Sequence, residues 1–573
     1  MNRWVRLILC ALLGLLLLLC GWLIPAHLRA IEEPVLAQAS RNSASLTGRG
    51  VSLAHIGQYS AAELLLRAAE RAKFSDTNEL VSALDTEGKK VPGVKLWGSQ
   101  PMGARNYFPR NPKPAETNFT DFVVREENRT KALDTLSKSK QPAVMTLMQS
   151  RDLTNLTTFA PAKAPGGEAF DAAVVITGLL VDQNHVTAGL SMDIENAAKQ
   201  ANVNGQPDSL EQILLDVLSL GQRFNWGQLT TFVGKIDGAA TLHEQAALAR
   251  NADVQLPALF AAVELSGDPK AVAQYLKDFP TSGYQDLTTA FQFNAGGVRA
   301  LVRSGNRLYA SDLRQWAART EPFASLVAMG ADFSSRTPQF ALILKWVLYF
   351  IGGFLLAMAL HVGRAPATTL EAPLQVRGFH VARELLFALG FLLVVVLVSE
   401  PFLAQEGAAT VKPFHLQLPT AGIAIQPGKT DLKTTFMDKS RLIPMALFFV
   451  LQGILYISSI VKLAEIRRQR VGPRVKLRLL ENEEHLFDAG LYLGFLGTII
   501  AFILSSVREK PSIDLMVAYS STSFGILFVS IFKIFNLRPT RRKLVMEAEL
   551  EPVAAVTTNP AATPAPNPAL ASS

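Results

Sequence analysis

Six long apolar runs constrain this chain more than any other feature of its sequence. They cover residues 7–24, 341–362, 385–403, 442–461, 489–507 and 515–532, and each holds about 18 to 22 residues with few charges. At about 1.5 Å per helical residue, that length crosses a hydrocarbon core of about 30 Å. A backbone inside lipid must pair its amides within the segment, so we predict six transmembrane helices.

The overall composition narrows the class of protein further. Of 573 residues, 49% are apolar and only 18% are charged, which excludes a disordered chain and an ordinary cytosolic enzyme. The net charge of +8 lies mostly beside the apolar runs, so we assign it to lipid headgroups and expect no nucleic-acid partner. Cys10 and Cys20 are the only cysteines and both lie in the first run, which excludes a disulfide framework elsewhere.

Basic residues indicate how the spans are oriented. With the N-terminus inside, sixteen basic residues flank the spans on the cytoplasmic side and seven lie in the short outer loops, as the positive-inside rule requires. We therefore predict a bacterial inner-membrane protein with a cytoplasmic C-terminus and a large periplasmic domain. The first run is either an uncleaved anchor or a signal peptide, because Ala37-Gln38-Ala39 resembles a cleavage site.

The predicted fold class is an all-α integral membrane protein of about six transmembrane helices with a large, mainly α-helical extracytoplasmic domain. The predicted divisions are an N-terminal anchor or signal peptide (1–29), the extracytoplasmic helical domain (30–338), two transmembrane helices with an outer loop (339–440), a three-helix membrane unit (441–543) and a disordered cytoplasmic tail (544–573).

Helical periodicity is clear in several parts of the extracytoplasmic domain. Residues 60–73, 210–220, 241–252, 254–265 and 269–278 space their apolar side chains as amphipathic helices do. The apolar stretch 172–180 is equally compatible with a strand and with a buried helix. Two segments rich in proline and glycine, 91–114 and 159–167, are predicted to be loops.

Catalytic and cofactor motifs are absent from the sequence. The segment around Gly428-Lys429-Thr430 has five residues after Gly422 where a phosphate-binding loop needs four. The eight histidines are scattered without metal-ligand spacing. We expect no catalytic residue, no cofactor and no metal site.

Three charged residues lie near the ends of predicted spans. Lys345 and Lys533 are expected to snorkel to water, and Glu400 at the outer edge of its span is expected to be solvated.

The last two spans carry small and hydroxyl residues at helix-packing spacing. Small side chains let helices approach closely inside lipid, where hydrophobicity no longer drives association. One interpretation is simply two closely packed helices. The other is that hydroxyl groups enter a protein-lined interior and line an ion pore. The packing candidates are Gly490, Gly494, Gly497, Ala518 and Gly525, and the pore-lining candidates are Thr498, Thr522 and Ser521.

Two short motifs in these spans resemble a known family. LGFLGT at 493–498 resembles the (L/I)-G-L-L-G-T signature of the MotA/TolQ/ExbB proton-channel proteins, and AYSSTSFGI at 518–526 is similar to the A-L-x-x-T-A-x-G-L run of that family's last span. The order and direction of the three spans agree as well. The resemblance covers about 442–543, and Val517 stands where the ExbB and TolQ branches carry a glutamate.

The resemblance implies a homo-oligomeric helical pore around a single-span partner that carries an intramembrane acid, with Thr498 and Thr522 facing the pore. It leads to the expectation of a subunit of an ion-gradient-powered envelope complex whose extracytoplasmic domain binds a protein ligand. The alternative is a non-conducting membrane scaffold or sensor.

Overall fold

A computed structural model of the chain describes residues 3–90, 118–159, 167–363, 379–400, 402, 439–507 and 515–557. Its contacts divide the chain into two compact units. We call Ala30–Arg336 the helical unit, and Met1–Arg29 together with Thr337–Ser573 the apolar unit. The predicted loop 91–114 and residues 160–166 of the second predicted loop lie outside the described residues.

Both units are built almost entirely of helices. From the N-terminus to the end of the helical unit these are α1 (Arg3–Leu23), α2 (Glu33–Ala39), α3 (Leu46–His55), α4 (Tyr59–Arg71), α5 (Asn78–Lys90), α6 (Phe119–Val124), α7 (Glu126–Leu136), α8 (Pro142–Gln149), α9 (Gly167–Asp182), α10 (Ala188–Asn204), α11 (Asp208–Gly221), α12 (Trp226–Val233), α13 (Ala239–Ala252), α14 (Leu256–Ser266), α15 (Pro269–Asp278), α16 (Gly283–Phe291), α17 (Asn294–Ser304), α18 (Asp312–Arg319) and α19 (Phe323–Arg336). Short 3₁₀ turns occupy Ser150–Asp152 and Asp253–Gln255.

The remaining helices belong to the apolar unit. They are α20 (Pro338–Gly363), α21 (Phe379–Ser399), α22 (Lys439–Arg468), α23 (Pro473–Asn482), α24 (Glu484–Phe487), α25 (Ala489–Val507), α26 (Leu515–Phe532) and α27 (Arg538–Thr557), with a π-helical segment Lys533–Leu537 between the last two.

Local signals in the sequence set several helix ends of the helical unit. The Asn225 side chain accepts from the Gln228 backbone amide while the Gln228 side chain accepts from the Asn225 amide, which is a capping box. Gly205 and Gly267 end α10 and α14 at φ values of 65° and 66°, where a side chain would be strained. The five helices predicted in this unit are all present, displaced by at most two residues at their ends.

The ambiguous stretch 172–180 is helical. It lies inside α9, whose described side chains from Ala172 to Leu180 are almost all fully buried. A helix buried on every side has no polar face, so its sequence lacks the 3.6-residue period by which a helix is distinguished from a buried strand.

Two three-residue strands connect the ends of the helical unit. In the described residues, β1 (Ala30–Glu32) pairs in parallel with β2 (Arg307–Tyr309), with Ala30 opposite Arg307. The buried carboxylate of Glu32 accepts from the guanidinium of Arg314. Gln38 Nε2 also donates to Asp332 Oδ1 over 2.7 Å. The two ends of this unit are therefore neighbours.

In the apolar unit, α1 packs along α20 and α20 packs against α21. A Cβ on Gly14 would lie 3.0 Å from the Gly352 carbonyl oxygen, and one on Gly21 would lie 2.9 Å from the Tyr349 ring. The two glycines therefore permit a close helix approach of the kind typical of membrane interiors. α21 packs against α22, α22 against α26, and α26 against α25.

Four helices in the described residues are long and apolar enough to cross a membrane: Trp4–Leu23, Pro338–Val362, Met445–Arg468 and Tyr519–Leu550. The described part of α25 contains a shorter apolar stretch, Ala489–Ile499. Four of the six predicted runs lie wholly within helices, whereas run 7–24 extends one residue beyond α1 and run 385–403 extends beyond the end of α21 at Ser399. The chain is thus mainly α-helical with several helices compatible with membrane insertion, and the count of six spans stays a prediction.

The first part of the segment predicted as a disordered tail is helical in the structure. Residues 544–557 continue helix α27, because Leu544 is buried in a small apolar cluster with Leu480 of α23. The alanine- and proline-rich composition on which the prediction was based begins only after this contact. Residues 558–573 lie outside the described part of the chain.

Candidate functional site

The hydroxyl and small residues predicted as a site come together where α25 crosses α26. Gly494 makes the crossing close, since a Cβ there would lie 2.8 Å from the Ser521 carbonyl oxygen and 3.0 Å from Thr522 Cα. A Cβ on Gly525 would lie 2.6 Å from the Gly490 carbonyl oxygen. Backbones this near leave no room for a larger side chain at either glycine.

Three hydroxyl groups fill the crossing. Thr498 Oγ1 and Thr522 Oγ1 lie 2.5 Å apart, and they lie 3.1 and 3.0 Å from the carbonyl oxygen of Gly494. Because each hydroxyl has one proton, one threonine donates to the other and the second donates to this oxygen. Ser521 Oγ donates to the same oxygen over 3.0 Å. Thr498 is 8% exposed and Ser521 1%. These groups can exchange hydrogen bonds with water or a proton carrier, but none of them holds a charge at neutral pH.

The structure thus brings Thr498, Thr522, Ser521, Gly490, Gly494 and Gly525 to one interface. Gly497 adjoins it, because a Cβ there would lie 2.8 Å from Ser521 Oγ. The side chain of Ala518 lies outside the described residues.

A fourth polar side chain joins this interface from α22, and sequence reasoning missed it. Gln452 is 1% exposed, and its Nε2 donates to the Gly490 carbonyl oxygen over 3.0 Å. Its Oε1 is buried and receives no hydrogen bond from the described residues. The available signal was an amide in the middle of the apolar run 442–461, since polar groups inside a span are costly and generally functional.

Polar contacts continue along α22 towards the π-helical segment. Asn536 Nδ2 donates to the Tyr456 hydroxyl over 3.2 Å, and Lys533 Nζ lies 2.7 Å from Asp488 Oδ1. Both Asn536 and Lys533 belong to the π-helical turn, a geometry that frequently marks functional sites in helices. A cavity of about 10 Å³ beside Gln452 and Tyr456 is at the lower limit for one water molecule.

We call Thr498, Thr522, Ser521, Gln452, Tyr456 and Asn536 the polar seam. It runs through the apolar stretches of α22, α25 and α26 and ends at Asn536 in the π-helical segment. Its members are neutral hydrogen-bonding groups, so the seam has no nucleophile–base pair and no charge of its own.

Two charged groups expected in water are instead buried elsewhere in the apolar unit. Lys345 on α20 is 1% exposed and donates to the Ala26 carbonyl oxygen over 2.7 Å. Glu400 is 5% exposed, accepts from the Leu28 amide over 2.7 Å, and lies 3.5 Å from His27 Nδ1. The prediction of solvated edge charges is wrong for these two. The Ala26 carbonyl and the Leu28 amide, which follow α1, bond these charged groups in place of the water that we expected.

Within the described residues, no group of three or more His, Cys, Asp or Glu side chains is placed to hold a metal ion. Comparisons of the chain with protein-family models, with curated proteins and with solved structures find no match.

Proposed function

We propose that the chain is a membrane subunit of an ion-gradient-powered cell-envelope complex, without covalent catalysis. On this proposal it lies in a bacterial inner membrane, with the helical unit in the periplasm and the C-terminus in the cytoplasm. The polar seam carries the proposal, because hydrogen-bonding side chains are expensive inside lipid and are kept there mainly for transport or gating. The two motifs that resemble MotA/TolQ/ExbB proteins lie on the same helices.

The seam holds no carboxylate, histidine or lysine, and this determines what a partner must supply. A proton moving along hydroxyl groups needs an acceptor that changes charge, and neither the threonines nor Gln452 can be that acceptor. We therefore propose a homo-oligomer whose seams surround a single-span partner with an acid inside the membrane. Protonation of that acid would change the electrostatic force between the partner and the pore. We further propose that the helical unit binds a protein ligand.

A second function has an observation in its favour. All three hydroxyls at the α25–α26 crossing already lie within hydrogen-bonding distance of the Gly494 carbonyl oxygen in one chain, which is the arrangement expected of a packing contact. On this alternative the protein is a non-conducting scaffold or sensor, and its spans only assemble.

Proton flux in liposomes separates the two functions. The protein, purified with its single-span partner, is reconstituted with a pH-sensitive dye inside the vesicles. We expect the double variant Thr498→Val, Thr522→Val to lower the flux by about tenfold or more, because valine keeps the shape and removes both hydroxyls. Ser523→Ala is the matched control, since Ser523 is exposed on α26.

Unchanged flux in the double valine variant would overturn the pore and favour the scaffold. Absence of any flux from the wild-type complex, in vesicles that hold correctly folded protein, would do the same.

A further inference from the structure

A cleft of about 470 Å³ lies between α20, α21 and α22, apart from the polar seam. Its volume is in the range of small-molecule sites, about 300 to 1,000 Å³. The walls are apolar and include Leu360, Phe387, Phe391, Leu451, Ile454 and Leu493. Such walls favour an apolar occupant over a polar solute or a column of water.

One part of the cleft lining is charged with both signs. Arg383 Nη2 lies 2.8 Å from Glu384 Oε1 and 3.0 Å from His361 Nδ1. Lys462 Nζ lies 3.4 Å from Glu465 Oε2 and 3.2 Å from Oε1 of Glu483, which follows α23. The first five of these residues line the cleft, and the side chain of Arg383 remains one-third exposed. We call these five residues the cleft mouth.

We propose that this cleft binds one zwitterionic phospholipid. An acyl chain matches the apolar walls, since each methylene removed from water adds to the affinity. The cationic groups of the cleft mouth suit a phosphate, and its carboxylates suit an ammonium group. The inference rests on the membrane placement made under the proposed function, and it does not depend on ion flow.

The dimensions of the cleft argue against a helix from a second copy. A helix is about 10 Å wide with side chains and rises 5.4 Å per turn, so this volume holds about one turn. A membrane-spanning neighbour could not enter it, whereas a flexible hydrocarbon chain can follow it.

Gly390 on α21 offers a way to fill the cleft without disturbing the protein. It lines the cleft, and a Cβ built there meets no described atom within 4 Å. Gly390→Phe should therefore occupy the lipid's space and fold normally. Val398→Phe is the matched control, because Val398 lies on the same helix with 82% of its surface exposed.

The test is native mass spectrometry of the full-length protein after incubation in vesicles of phosphatidylethanolamine or of phosphatidylglycerol. We expect one retained phosphatidylethanolamine per chain, weaker retention of phosphatidylglycerol, and about a tenfold loss of retention in Gly390→Phe. Val398→Phe should retain the lipid as the wild type does, and circular dichroism should show both variants folded.

Equal retention by Gly390→Phe and the wild type would overturn the site. Equal retention of the two lipids would overturn recognition of a zwitterion by the cleft mouth. Because lipid retention is measured without a proton gradient, loss of flux with lipid still bound would count only against the proposed function.

Discussion

The ammonium group of Lys345 donates to the carbonyl oxygen of Ala26 over 2.7 Å, in the interior of the apolar unit. The carboxylate of Glu400 similarly accepts from the Leu28 amide. Both contacts connect residues just after α1 to other helices. Cleavage after Ala39 would remove both backbone partners, and a buried charge that loses its partner costs about 3 to 5 kcal/mol.

We therefore predict that residues 1–39 are retained in the mature protein. The possible cleavage site also lies in α2, where Leu36 is fully buried in the core of the helical unit. The measurement is the intact mass of protein extracted from membranes. A mass short by the first 39 residues would support the signal peptide and refute the anchor.

Close packing at the α25–α26 crossing predicts strong sensitivity to a methyl group. Gly494→Ala and Gly525→Ala should each destabilise the protein by about 1 to 3 kcal/mol, because the added Cβ meets backbone atoms. Thermal unfolding in detergent measures the loss. Gly453→Ala is the matched control: its Cβ would have its nearest contact 4.0 Å away, at Phe528, so it should be neutral or stabilising. Equal effects at all three glycines would contradict the packing.

The contact between Thr498 and Thr522 predicts a measurable coupling energy. In a double-mutant cycle with valine at each position, the two changes should be non-additive by about 0.6 to 1.7 kcal/mol, from the average to the largest coupling measured for hydrogen bonds between membrane helices. Unfolding in detergent of the wild type, both single variants and the double variant provides the four free energies. Strict additivity would mean that the hydroxyls do not bond each other.

Glu211 predicts an acid-dependent loss of stability in the helical unit. Its buried carboxylate accepts from the Thr157 amide, the Thr157 hydroxyl and the Thr158 amide over 2.8 to 2.9 Å. Burial raises the pKa of Glu211, but these hydrogen bonds lower it more, so the net shift is downward. The stabilisation is therefore complete above the unfolded-state pKa of about 4.3 and is lost as the pH falls through the lower folded-state pKa.

Glu211→Gln should accordingly cost about 1.5 to 3 kcal/mol at pH 7, the contribution of hydrogen bonds to a charged group. The difference from the wild type should shrink as the pH falls below about 4. Urea unfolding of the full-length protein at several pH values measures it. A difference that is constant from pH 7 to pH 3 would contradict the ionised carboxylate.

Asp286 predicts the opposite dependence. Burial raises its pKa, although its Oδ2 accepts from the Tyr275 hydroxyl over 2.9 Å and from the Leu308 amide over 3.3 Å. Stability linked to this group is therefore highest below the unfolded-state pKa and falls as the pH rises through the folded-state pKa. Asp286→Asn keeps an acceptor oxygen, so it should be more favourable at pH 7 than at pH 3 in the same urea measurement.

The sequence predicts most helices of this fold because amphipathic period and apolar length are local properties. It also predicts which glycines and hydroxyls share a helix face, since the 3.6-residue period determines that. It does not predict partners distant in the chain. Gln452 bonds a carbonyl 38 residues away, and Lys345 bonds one 319 residues away. Nothing in the local pattern around either residue indicates the partner.

The π-helical turn shows a second limit. Residues 533–537 have an ordinary helical composition, yet the wider turn rotates Lys533 and Asn536 towards Asp488 and Tyr456. One additional residue in a turn changes every later side-chain direction by about 100°. Contacts between helices determine whether residues 533–537 form a π-helical or an α-helical turn, and the helix propensity of these residues alone does not.

Pairing of β1 with β2 has a consequence for removing the helical unit from this protein. A domain whose two ends are adjacent can be inserted into a host, or excised from it, with little disturbance of the host. Residues 30–336 are such an insert, and the helices on either side of it, α1 and α20, pack directly on each other. Replacing the insert by a short glycine-serine bridge should therefore leave a miniature protein that still folds in detergent.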